Sequence, residues 1–108
     1  MKKALLLLVA LAAGGALAVP ALASSRGVSV GPGTSFGPRA VTIARGDSLR
    51  FRWTGHRRHN IVVVRGPQRF RTAVHGPGTT ITKRFTRAGS YLLVCTLHEG
   101  MRLSLRVR

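Results

Sequence analysis

The chain has 108 residues, enough for one domain, and sets 18 Lys+Arg against 2 Asp+Glu, a formal net charge of +16. So basic a chain invites a nucleic-acid reading, but its basic residues are scattered with no run longer than two, and no contiguous basic arm exists. Cys95 is the only cysteine, which excludes an internal disulfide framework.

The first predicted element is a targeting segment. Lys2-Lys3 precede fifteen uncharged, mostly apolar residues, Ala4 to Ala18, followed by Val19-Pro20-Ala21-Leu22-Ala23. A basic start, a short apolar stretch and an Ala-x-Ala site predict a secretory signal peptide over residues 1–23, cleaved after Ala23. The apolar stretch is shorter than the roughly 20 residues that cross a bilayer, so stable membrane insertion is not expected. Residues 24–108 are then expected to form one exported domain, periplasmic or extracellular, where nucleic acid is no partner. Without the leader's two lysines, 16 basic residues, 15 of them Arg, face 2 acids and leave a net charge of +14.

After a short linker at Ser24 to Gly27, the chain reads as strands and turns. Val28-Ser29-Val30, Ala40 to Ala44, Leu49 to Trp53, Ile61 to Val64, Thr79 to Phe85, Tyr91 to Cys95 and Leu103 to Arg108 are the expected strands. Gly- or Pro-bearing separators such as Gly31-Pro32-Gly33 and Gly76-Pro77-Gly78 stand between them. In Leu49-Arg50-Phe51-Arg52-Trp53, apolar groups alternate with arginine, and Leu103 to Arg108 repeats the pattern. A period of two places Arg50, Arg52, Arg106 and Arg108 on solvated strand faces. Seven or eight short strands predict an all-β fold, a two-sheet Greek-key sandwich or a small barrel.

The chemistry concentrates in Cys95-Thr96-Leu97-His98-Glu99-Gly100-Met101, directly after a strand. A thiolate, an imidazole and a thioether on one short loop offer soft and borderline donors to one point, a set that suits copper. A second imidazole is expected from His59, which with Asn60 opens the run Ile61 to Val64. Taken singly, a strand cysteine is usually a small buried hydrophobe, and a nearby methionine usually fills a gap. Taken together, three donor types at this spacing, around the lone thiol of an exported chain, point to a metal. His56 and His75 read as solvated loop histidines.

At these residues the chain resembles the blue copper proteins, the cupredoxins, and among them plastocyanin and especially amicyanin. The Cys95 to Met101 loop has the amicyanin spacing, and His59-Asn60 is similar to the family's His-Asn pair. Phe85-Thr86-Arg87-Ala88-Gly89-Ser90-Tyr91 resembles its approach to the cysteine strand, and Ala44 to Leu49 its Gly-Asp strand entry. The resemblance runs from about Val28 to Arg108. It implies a two-sheet Greek-key sandwich holding one copper ion that cycles between Cu(I) and Cu(II). His59, Cys95 and His98 would be the strong equatorial ligands and Met101 the weak axial one. Asn60 would tie the two ligand segments together by hydrogen bonds with Thr96. The ring edge of His98 would be the electron port.

These expectations favour a monomeric, extracytoplasmic electron-transfer protein. Arg57 and Arg58 beside His59, with Leu97 and Glu99 beside His98, would dock a redox partner that carries an acidic surface. An enzyme is not expected: Val94 and Thr96, not histidines, flank Cys95, and a binuclear copper loop needs two cysteines. A non-redox copper-delivery protein, or a basic module that binds anionic envelope polymers, is the alternative.

Overall fold

Residues 22–108 are described in the computed structural model of the protein, and their regular structure is entirely β. The expected leader, residues 1–23, lies outside the described residues except for Leu22 and Ala23, which are exposed. Eight strands follow: β1 (Ser25–Val30), β2 (Phe36–Gly37), β3 (Ala40–Ile43), β4 (Ser48–Trp53), β5 (Val62–Arg65), β6 (Thr80–Arg84), β7 (Gly89–Val94) and β8 (Arg102–Val107). They form two four-stranded sheets, ordered β2-β1-β4-β6 and β3-β8-β7-β5. Pairing is parallel between β1 and β4 and between β3 and β8, and antiparallel elsewhere. This is the two-sheet Greek-key sandwich that the sequence predicts.

Alternation dictates which faces meet. In β4, Leu49, Phe51 and Trp53 are buried while Arg50 and Arg52 are exposed; in β8, Leu103, Leu105 and Val107 are buried while Arg102, Ser104 and Arg106 are exposed. The inward residues of both sheets close one core, in which Trp53, Phe51 and Phe85 are the largest fully buried side chains. Burying a large apolar side chain contributes about 1.5–3 kcal/mol. A continuous core of this kind stabilises a domain that has no disulfide to do so.

Two features differ from the sequence expectation. Ser24 to Gly27 is no linker, because Ser25–Gly27 belong to β1 and pair in parallel with Ser48–Arg50. Their side chains are exposed, so the segment is held by its backbone ladder and by Asp47, whose carboxylate accepts the Ser24 N–H at 2.9 Å. The two-residue strand β2 has no counterpart among the expected strands. It is too short for any periodicity, yet it pairs with Ser29 and Val30 and buries Phe36.

One pairing positions the site. In the antiparallel ladder of β5 and β7, Val62 lies opposite Val94. His59-Asn60 enter β5 just before Val62, and Cys95-Thr96 leave β7 just after Val94, so antiparallel register brings the two dipeptides to the same end of the sandwich.

Candidate metal centre

Ligand-type atoms of His59, Cys95 and His98 all lie within 4.8 Å of one another at that end. His59 and Cys95 are buried and His98 is partly exposed. Nδ1 of His59 stands 3.8 Å from Sγ of Cys95, and the two imidazole rings meet edge to face with centroids 4.9 Å apart. Met101 is buried at the far end of the same loop, and its N–H donates to the His98 carbonyl at 3.2 Å. Its own carbonyl accepts the Cys95 N–H at 3.1 Å, which closes the loop as a compact turn.

His59 is fixed through its backbone. Its N–H donates to the His75 carbonyl at 3.0 Å, and its carbonyl accepts the His75 N–H at 2.9 Å and the Trp53 indole Nε1–H at 2.9 Å. Trp53 is almost fully buried and packs edge-on against the His75 ring at 5.6 Å. His75 is therefore half-buried and bridged to His59, not the solvated loop histidine expected from sequence. The isolated bridge that it forms has no side-chain signature. His56 is exposed. In the sequence the signal for this contact is Trp53, because an indole N–H on the core side of a strand needs an acceptor when it is buried.

The ring chemistry fits a metal. Burial holds the His59 imidazole below its ordinary pKa, the neighbouring His98 ring and more weakly the Arg57 guanidinium act in the same direction, and the Gly33 backbone opposes them. This favours the neutral ring, which has a lone pair to donate. Its Nε2 is buried with no partner in hydrogen-bonding geometry, while Nδ1 faces the thiol. Nε2 of His98 lies 3.2 Å from the Arg58 carbonyl. A carbonyl only accepts, so Nε2 donates in this contact, and in that tautomer Nδ1 is the nitrogen with a lone pair to offer.

Asn60 and Thr96 lock the two segments together by reciprocal bonds. Asn60 Nδ2 donates to Thr96 Oγ1 at 2.9 Å, and the Thr96 N–H donates to Asn60 Oδ1 at 2.9 Å. Of the residues expected to meet a partner, Arg57 and Arg58 are exposed on the loop before His59, and Leu97, half exposed, and exposed Glu99 flank His98 in sequence.

A mixed sulfur and nitrogen donor set at one end of a two-sheet Greek-key sandwich defines the class as a copper-binding cupredoxin. The model of the copper binding proteins of the plastocyanin/azurin family matches residues 24–108, and the chain belongs to that family. Copper is accordingly its metal. Solved structures agree in fold. A methionine-to-glutamine variant of amicyanin in its Cu(I) form superposes with a TM-score of 0.70 at 20% identity, covering 78% of this chain and 82% of that one. A purple cupredoxin from Nitrosopumilus maritimus gives 0.70 at 17% identity, covering 77% of this chain and 99% of the other. A copper-containing nitrite reductase from Thermus scotoductus gives 0.71 at 29% identity over 83% of this chain, which spans only 23% of the reductase chain. No curated protein sequence matches significantly.

Proposed function

We propose that this protein is an extracytoplasmic electron carrier with one mononuclear type 1 copper site, its equatorial ligands His59, Cys95 and His98 and its weak axial ligand Met101. The observation that carries the reading is the convergence of the three donor atoms within 4.8 Å, with two of the residues buried. Copper bound there supplies a one-electron couple between Cu(I) and Cu(II).

The chain's own work is to keep the ligands still and to give electrons a way out. The backbone bonds of His59 to His75 and Trp53, and the Asn60–Thr96 pair, restrain the ligand segments from outside the donor set. Restraint of this kind lowers the rearrangement that accompanies each change of charge. Partly exposed His98 provides the route to the surface, and a donor or acceptor protein docks around it on Arg57, Arg58, Leu97 and Glu99. The two arginines steer an acidic partner, so that the transfer rate falls steeply with ionic strength.

The reading as a carrier without catalysis of its own rests on the flanks of Cys95. Val94 and Thr96 offer no imidazole through which electrons would pass to a second copper centre. The likeness to the nitrite reductase concerns a minor part of that chain. Copper delivery by thioethers would call for several methionines, and Met101 is the only one after the expected leader. That expected leader and a lone thiol held in a ligand cluster support an exported, periplasmic or extracellular protein.

The test is to load the protein with Cu(II) and record visible and electron paramagnetic resonance spectra. An intense thiolate charge-transfer band is expected, and it disappears in Cys95→Ser. A colourless protein, or a band that survives the substitution, overturns the assignment.

A further inference from the structure

The outer face of the β3-β8-β7-β5 sheet carries a groove of about 760 Å³ lined by none of the ligand residues. Its shape follows from register. Across the sheet, Thr42, Arg106 and Ser90 stand in one row, and Ala40, Ser104, Leu92 and Arg65 in the next. Short side chains therefore occupy the floor while Arg26, Arg65, Arg102 and Arg106 line the same groove. Strands β1, β5 and β8 contribute these four guanidinium groups, which is why a chain with no basic run longer than two hides the cluster. Neither of the protein's two acids, Asp47 and Glu99, lines it.

We infer that this groove binds a linear phosphate polyanion. Guanidinium groups match phosphate oxygens with two parallel hydrogen bonds, which a lysine ammonium does not reproduce. The floor adds the hydroxyls of Thr42, Ser90 and Ser104, further donors to phosphate oxygens. Arg102 and Arg106 lie four residues apart on one strand, about 13 Å, so one extended polyanion can reach both through phosphates several units apart. A membrane-docking face would present exposed apolar anchors, whereas Leu92 is only partly exposed and the arginine-bearing positions Arg65, Arg102 and Arg106 are open to solvent. The function of the groove is retention of the protein on a phosphate-bearing polymer, through residues other than the metal ligands.

The experiment measures binding of inorganic polyphosphate of defined length to the protein, compared with two charge-matched double variants. Arg65→Gln/Arg106→Gln removes two guanidinium groups from the groove; Arg50→Gln/Arg52→Gln removes two from the exposed face of the opposite sheet. Loss of two charge-assisted contacts is expected to weaken binding roughly ten- to a hundredfold in the first variant and less than threefold in the second. Arg65→Lys/Arg106→Lys keeps the charge and should recover only part of the affinity. Equal losses in the two Gln variants, or full recovery with lysine, would show that net charge alone binds the polymer and overturn the inference. Tighter binding to dextran sulfate, or to vesicles of anionic phospholipid, than to polyphosphate overturns it as well. Thermal unfolding of each variant confirms that the fold is retained. Should the groove variant fail to fold, the lysine variant decides between the outcomes.

Discussion

The two segments that bring donors to the metal end are held in opposite ways. His59 is fully buried, and three hydrogen bonds to its backbone come from His75 and Trp53. His98 sits on a seven-residue loop between Cys95 and Met101, is partly exposed, and has its ring held by one bond to the Arg58 carbonyl. One side of the centre is built into the core and the other is hung on its surface. Stability and ligand geometry should therefore be inseparable at His59 and separable at His98.

Replacing each histidine by alanine tests that asymmetry most directly. Either substitution is expected to lower copper affinity by a hundredfold or more, because each removes a donor. His59→Ala should also destabilise the metal-free protein by about 2–4 kcal/mol through the cavity it opens, while His98→Ala should stay within about 0.5 kcal/mol. Metal titration and denaturant unfolding separate the two quantities. Equal destabilisation by both variants would contradict the comparison.

The Asn60–Thr96 pair couples the two sides, and Asn60→Ala breaks both of its bonds. Copper affinity should fall about 10- to 100-fold, as is usual when support outside the ligands is lost. Asn60 is buried, so stability should also fall by about 1–2 kcal/mol. Trp53→Phe is gentler. It removes the indole donor to the His59 carbonyl, which keeps its bond from His75, at an expected cost of about 1–2 kcal/mol in unfolding free energy. A shift in the copper spectrum without loss of metal would show that this bond sets ligand geometry.

How much of this was legible in the sequence depended on which interactions have side-chain signatures. The period-two runs around Phe51 and Leu105 disclosed sheets and faces because burial writes an alternating pattern. The Cys95 to Met101 loop disclosed a metal because soft donors at fixed spacing are rare by chance. Ser25–Gly27 went unread as strand because a ladder held by backbone bonds, with every side chain exposed, leaves no pattern. The roles of His75 and of the Arg58 carbonyl were hidden for the same reason, since both act through main-chain atoms. The arginine groove was invisible because register across β5, β7 and β8, not sequence distance, assembles it.

The smallest expected effect is in acid. Burial, aided by the neighbouring His98 ring and more weakly by Arg57, lowers the pKa of His59 in the folded, metal-free protein below the 6.5 of an ordinary histidine. As pH falls through that ordinary value, the unfolded chain takes up a proton that the folded chain refuses, so stability declines until the folded value is reached. Asp47 acts lower on the scale, because the backbone N–H groups of Ser24 and Ala44 hold its carboxyl below the ordinary 3.8. Its contribution is complete above that value and is lost as pH falls through the folded one. The stability of the metal-free protein should therefore fall in two stages as pH is lowered, the first removed by His59→Gln and the second by Asp47→Asn. Bound copper occupies the His59 lone pair and must displace the first stage to lower pH, since proton and metal compete for the same site. A first stage that persists in His59→Gln would place the titration elsewhere and leave His59 no more coupled to folding than His98.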